Sequence, residues 1–311
     1  MKLIKPFSEI LKQDKISDTN KQIERANNIC NEKETKITET SADAFVKQQI
    51  KTNDISLLEH GTVYLWVKFV SKPSWLINGV SVNDDDFDEK DWVPTLQEAI
   101  DAEKMYLDSS NAREFYIHNK DSKIYVVGNT QFITTNYKVL VENNRLRDLR
   151  FAVKETVFHE KRITLHVTCD KHMLHELMKY REFSINDSLN NKIDNEITYI
   201  IPSYLQLNED NIYERLWDID LIDYSSIISD EQPLYESIDY LLYSLQASTY
   251  SYFNLIKNGV NPQQAATVLP DAFKTEVVMS GFESDWQQLL ISEKDNSDII
   301  SLLNIIKNET F

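Results

Sequence analysis

The sequence predicts an α+β fold in which a long, late helix packs on a sheet, and three observations carry that prediction. Stretches with the β-branched, aromatic or alternating composition of strands are interspersed with helical stretches that carry capping residues. The longest helical element comes late, opened near Pro233 and closed before Gly259. With 311 residues, 41% hydrophobic and 11% aromatic, the chain can bury a sizeable core and lacks the composition of a disordered one.

In chain order, a short strand is expected near Lys2–Ile4, then a helix opened by Ser17, Asp18 and Thr19 and running to Cys30. Ser41 is expected to cap a helix over 41–51, where Ala44, Phe45 and Ile50 recur at helical spacing. Residues 63–70 are β-branched and aromatic enough for a strand buried on both faces. Pro73, Gly79 and the acidic run 84–89 mark 71–91 as a solvated loop or insertion. A calcium loop begun at Asp84 would need glycine and glutamate where Glu89 and Thr95 stand, so no calcium site is assigned. Pro94 opens a helix to about Tyr106, strand-like pieces follow over 115–117 and 124–127, and Thr134, Thr135 and Asn136 can cap a helix to about Asn143.

Ile163, Leu165 and Val167 alternate with Arg162, Thr164 and His166, which predicts a long strand over 156–168. A helix over 171–180 presents Met173, Leu174, Leu177 and Met178 on one face, and a strand over 197–201 is stopped by Pro202. A short helix over 209–217 and an acidic loop over 218–231 precede the long helix. Pro262 then starts a short helix, 275–281 is strand-like, and helices begin near Glu283 and Ser297.

Fifty acidic residues against 33 basic ones leave a net charge of −17, which repels nucleic-acid backbones. No apolar run approaches the roughly 18 residues of a membrane span. The first ten residues carry Lys2, Lys5 and Glu9 and have no signal-peptide core, so a cytoplasmic protein is expected. Two cysteines, Cys30 and Cys169, make neither a disulfide framework nor a four-thiolate zinc site. The five glycines, no two closer than 18 positions, exclude the clustered-glycine dinucleotide fingerprint and the P-loop.

Among the remaining constellations, Cys169, His172 and His175 share a three-residue spacing but find no fourth ligand, and no metal site is assigned. Asp170 is read as the cap of the helix behind it. His159 and His166, seven positions apart on one expected strand, face opposite sides. Cys30 is read as a buried packing residue. Arg145, Arg147, Arg150 and Lys154 are read as a solvated helix face rather than a phosphate site.

Several segments, in this order, resemble the flavin-dependent thymidylate synthases, the ThyX family. Ile23-Glu24-Arg25-Ala26-Asn27-Asn28-Ile29-Cys30 is similar to that family's Ile-Glu-x-Ala-x-Arg-x-Cys helix, and Ser56-Leu57-Leu58-Glu59-His60 to its Ser-x-Leu-Glu-His turn. Thr134-Thr135-Asn136-Tyr137-Lys138 resembles the Thr-Thr-Asn-x-Arg segment of the longer bacterial and phage-type members. Residues 164–181 resemble the strand and helix that lead into the Arg-His-Arg signature, here Lys179-Tyr180-Arg181, with Ser184 at the serine beyond it. Residues 259–270 resemble Gly-x-x-Pro-Gln-x-Ala-Arg-x-Val-Leu-Pro, and Lys274-Thr275-Glu276 through Trp286 continue the match.

The resemblance implies a single domain over 1–311, with 71–130 as a family-variable insertion, 233–311 as a C-terminal helical part, and a central, mostly antiparallel sheet packed with long helices. It also implies a homotetramer that binds FAD and dUMP at subunit interfaces and methylates dUMP reductively with NADPH and methylene-tetrahydrofolate. Arg181, Ser184, Lys179, Glu59, His60 and Gln264 are then the nucleotide- or flavin-binding candidates.

The departures fall on the charged positions. Lys179 and Tyr180 replace the first two signature residues, Ala266 and Glu293 stand where the family has arginines, Asp54 stands at a histidine, and Asn28 at the arginine of the first helix. In the later Ser-x-Arg-Tyr portion the arginine and tyrosine become Asn191 and Lys192 without a gap, or Asn190 and Asn191 with a one-residue deletion. Each lost charge-assisted contact to a phosphate costs about 1.5–3 kcal/mol. Two expectations result. One is a protein that has lost synthase activity, binds FAD weakly or not at all, and serves as a structural or interaction subunit. The other is a divergent flavin-dependent synthase, or a relative acting on another nucleotide, with Lys179 and Lys192 compensating.

Overall fold

A computed structural model of the chain describes residues 1–68, 114–188, 193, 196–202, 205, 237–294 and 296–310. The expectations for 69–70, 71–91, 94–106, 190–192, 209–217 and 218–231, and for the Pro233 start of the long helix, lie outside the described residues. The chain divides into two compact units, one of 12–25 and 36–163, the other of 1–11, 26–35 and 164–311. Among the described residues, no helix is long and apolar enough to cross a membrane.

The elements follow in chain order. Strands β1 (Lys2–Ile4) and β2 (Phe7–Ile10) precede helices α1 (Asp18–Cys30) and α2 (Glu39–Thr52). A 3-10 turn over Ser56–His60 then leads into β3 (Thr62–Lys68), β4 (Lys123–Val127), β5 (Thr130–Asn136) and α3 (Tyr137–Glu142). After a second 3-10 turn, Leu146–Phe151, come β6 (Arg162–Asp170), α4 (Lys171–Leu177), β7 (Ser184–Asp187) and β8 (Thr198–Ile200). The long helix α5 (Ser237–Lys257), the short α6 (Pro262–Ala265), β9 (Lys274–Phe282), α7 (Glu283–Ser292) and α8 (Ser297–Thr310) complete the order.

In the first unit, β3, β5 and β4 form an antiparallel sheet with β5 in the middle. Period-two alternation sends Val63, Leu65, Val67 and Ile133 to one face, where they pack with Tyr116, Val139 and Leu140. On the other face Trp66, Phe132 and Tyr125 stand in register, and Trp66 is 52% exposed. The strand is therefore buried on both faces only over its first half, a correction to the expectation.

Helix α2 begins earlier than expected, because Thr38, not Ser41, is its N-cap. Ser41 is the third residue of a reciprocal capping box and donates its own N–H to Thr38. Residues 114–118 are helical rather than extended. There Tyr116 is buried and donates to Asp148 Oδ2 at 3.1 Å. Asp148, 1% exposed, also faces Arg145 at 3.6 Å, and the Arg145 guanidinium lies over the Phe115 ring. Arg145 thus neutralises a buried acid. It is not part of a solvated basic face. Strand β6 starts at Arg162, since 156–161 turns back on itself with His159 Nδ1 against the Thr156 N–H at 3.2 Å. His159 is therefore not on the strand.

In the second unit, β2, β6, β9 and β7 form a four-stranded sheet. The β2–β6 and β7–β9 pairs are antiparallel. Thr164 meets Ser280 while Thr168 meets Glu276, so β6 and β9 also run in opposite senses. A parallel pair, β1 and β8, lies under α5: Ile197 and Tyr199 pack with Leu245 and Tyr252 of the helix and with Ala265 and Leu269 behind it. The mixed α+β architecture, the antiparallel sheets and the long helix packed on strands all match expectation.

One close approach fixes the chain around β7. Gly281 on β9 leaves room for the Phe183 ring, which packs against Trp286 with ring centroids 4.3 Å apart. A Cβ at Gly281 would lie 2.3 Å from Phe183 Cδ1. Gly281→Ala is expected to lower stability by about 1–3 kcal/mol through this overpacking, read as a fall in thermal midpoint. An unchanged midpoint would mean that the ring gives way freely.

Candidate functional site

The signature turn is built from α4 outward. Asp170 caps α4, accepting the Met173 N–H at 2.7 Å, as expected, while Leu174 and Leu177 anchor its buried face. The helix stops at Leu177 rather than Tyr180, and Lys179 and Tyr180 continue as turn residues whose N–H groups donate to Glu176 and Leu177. Phe183, held by Gly281 and Trp286, ends the turn, and Ser184 begins β7 opposite Ser280.

This framework presents the three signature positions differently. Lys179 is exposed, its ammonium 2.6 Å from the Glu176 carboxylate one turn back. Tyr180 donates its hydroxyl to Glu293, the residue that ends α7. Burial, reinforced by that carboxylate, pushes the phenol up to about 12, so it stays protonated as the donor. Arg181 is exposed, and no hydrogen bond or ion pair ties it to another described residue. Two of the substituted positions, Tyr180 and Glu293, are thus brought together.

The other candidates lie elsewhere. Gln264 is exposed on α6, and Ala266 packs among the apolar residues beneath α5. Asn28 is buried, its amide donating to Thr35 Oγ1 at 2.8 Å. In the first unit, Glu59 is ion-paired with Lys138, and its carbonyl accepts from Arg162 at 2.6 Å. His60 is fully buried, and Asp54 is exposed just beyond the left-handed Asn53 that ends α2. Of the three residues at three-residue spacing, Cys169 is buried while His172 and His175 are exposed. Burial pushes the Cys30 thiol up to about 12, which fits a packing role and not a nucleophile.

Sequence reasoning missed a charged network on the four-stranded sheet. Glu276 accepts from His166 Nε2 at 2.9 Å, from Lys274 at 2.7 Å and from Thr168 at 2.5 Å. His166 Nδ1 meets Glu9 at 2.9 Å, and Lys274 reaches Glu32 at 2.9 Å. Burial alone would push Glu276 up, but the three donors together hold it below the usual carboxylate range. Burial likewise pulls His166 down, and the two carboxylates outweigh it and raise the imidazole above its usual value. Lys274-Thr275-Glu276 stands in the sequence as a motif, and His166 and Thr168 fall on one strand face. Their juxtaposition depends on pairing β6 with β9, which no local pattern reports.

With this geometry in place, the chain belongs to the thymidylate synthase complementing protein family, the ThyX family, whose model matches residues 103–292. No curated protein matches it by sequence. Among solved structures it is similar to a UMP/dUMP methylase, PolB, from Streptomyces cacaoi, crystallised with 5-Br UMP. That likeness has 8% identity and a TM-score of 0.34, and covers 93% of this chain and 78% of that one. At that score it says nothing about individual residues.

The sheet network makes a pH prediction. Because the folded His166 titrates above its unfolded value of about 6.5, its contribution is full below that pH and is lost as pH rises through the folded value. Relative to His166→Gln, the wild type should lose stability as pH rises above about 6.5 in denaturant titrations. Parallel pH profiles for the two proteins would contradict this.

Proposed function

We propose that this member of the ThyX family no longer makes thymidylate and serves as a structural or interaction subunit, as a homo-oligomer or within a larger assembly. The hydrogen bond from Tyr180 to Glu293 is the single observation that most supports this reading. Where the family resemblance aligns a histidine and an arginine, a neutral phenol and a carboxylate are committed to each other. A phosphate needs fixed cationic donors, and a carboxylate in that position repels it. The nearby cation Lys179 is answered by Glu176, and Ala266 offers an apolar methyl where a guanidinium would be required. The donor set therefore does not fit the phosphate of dUMP, and no reaction step is assigned through a flavin.

One observation favours a second reading: Arg181 is exposed and uncommitted among the described residues. It would serve a divergent flavin-dependent enzyme acting on dUMP or another nucleotide, with Lys179 as its companion.

The two readings separate in the visible spectrum of the purified protein. The first expects no flavin band, and none after adding FAD and dUMP. A band that co-purifies and shifts with dUMP would establish the second. A double variant, Tyr180→His with Glu293→Arg, removes one negative and adds one positive charge beside Arg181. It should tighten dUMP binding by about tenfold or more in calorimetry. No gain in that variant would mean that these positions do not set anion affinity.

A further inference from the structure

A cavity of about 350 Å³ opens in the first unit between the loop that enters α1, the first turns of α2, the start of β3 and residues 149–155. That volume lies within the range of small-molecule sites. Its walls are pinned by hydrogen bonds. The Gln13 side chain pairs with the backbone of Thr62 through both its groups, Nε2 donating at 2.7 Å and Oε1 accepting at 3.1 Å. Val153 donates to the Tyr64 carbonyl at 2.9 Å and Tyr137 to the Gly61 carbonyl at 2.8 Å. A site preformed in this way loses little ordering entropy when it is filled.

Some polar groups around the cavity are already matched. Glu39 is 3.3 Å from Lys21, and Glu155 accepts from the Tyr64 hydroxyl at 3.4 Å. Two groups are not. Asp43, exposed at the rim, accepts one hydrogen bond among the described residues, at 2.7 Å, from the neutral Asn20 amide, so no cation among those residues is paired with it. The half-buried Tyr137 phenol has no hydrogen-bond partner among the described residues. Burial, and then the charge of Asp43, keep that phenol protonated, so an aromatic ring and an O–H stand close to a free carboxylate. Val63 and Leu149 supply apolar wall, and acids outnumber lysines around the rim by four to two.

We propose that this cavity binds a small organic amine: its ammonium group at Asp43, held by a charge-assisted hydrogen bond and the faces of the tyrosine rings, its apolar body against Val63 and Leu149. The site uses none of the residues of the signature turn and stands whichever reading of that turn is correct.

The test is calorimetric titration of the full chain with phenethylamine, and with 2-phenylethanol as the uncharged analogue of the same shape. Saturable binding of the amine is expected, with the alcohol weaker by about tenfold or more. Asp43→Asn should remove about the same factor, and Tyr137→Phe a smaller one, with thermal midpoints near that of the wild type. Should Asp43→Asn fail to fold, the amine–alcohol comparison and the Tyr137 variant still decide. Absence of saturable binding up to about 10 mM, equal binding of amine and alcohol, or amine affinity untouched by both substitutions would each overturn the proposal.

Discussion

A carboxylate half-buried in a sheet stays ionised where donors answer it, and in the second unit Glu276 is answered by three. His166 and Thr168 reach it from β6, and Lys274 from its own strand. Through His166 the same carboxylate is tied to Glu9 on β2, and through Lys274 to Glu32 just beyond α1. Two neighbouring strands and the chain leaving the first helix thus converge on one charge. Removing any donor would leave a half-buried acid with one fewer partner, which costs more than the bond itself contributes.

The same pattern recurs through the chain. Cations that a nucleotide-binding protein would direct at phosphate are here directed at the protein's own acids: Lys138 at Glu59, Arg145 at Asp148, Lys179 at Glu176. With a net charge of −17, internal acids compete for every cation. Glu293 carries the competition one step further. It takes a hydrogen bond from Tyr180 in a turn packed by Phe183 and Trp286, and on the proposed reading it stands where the family has an arginine. On the proposed reading the packing residues are kept where the charged ones are not, as a scaffold relieved of anion binding would have it.

Much of the fold was legible because it rests on local rules. Asp170 caps α4, alternation of Ile163, Leu165 and Val167 marks β6, and Glu283 and Ser297 open helices where their sequence places them. Where the structure departs from expectation, a side-chain partner decides the outcome. Thr38 outcompetes Ser41 as cap because the two form a reciprocal pair. Residues 114–118 coil because Tyr116 is drawn to a buried Asp148 far along the chain. The site was legible as a set of substituted positions. That Tyr180 and Glu293 would meet was not, since it depends on how α7 returns to the signature turn.

The central claim is that a ThyX-family scaffold has surrendered its anion-binding charge and with it the synthesis of thymidylate. The most direct test is to incubate the purified protein with dUMP, FAD, NADPH and methylene-tetrahydrofolate and to measure dTMP by chromatography. The account predicts none above a protein-free control; dTMP formed in proportion to the protein added, and lost on Arg181→Ala, would contradict it.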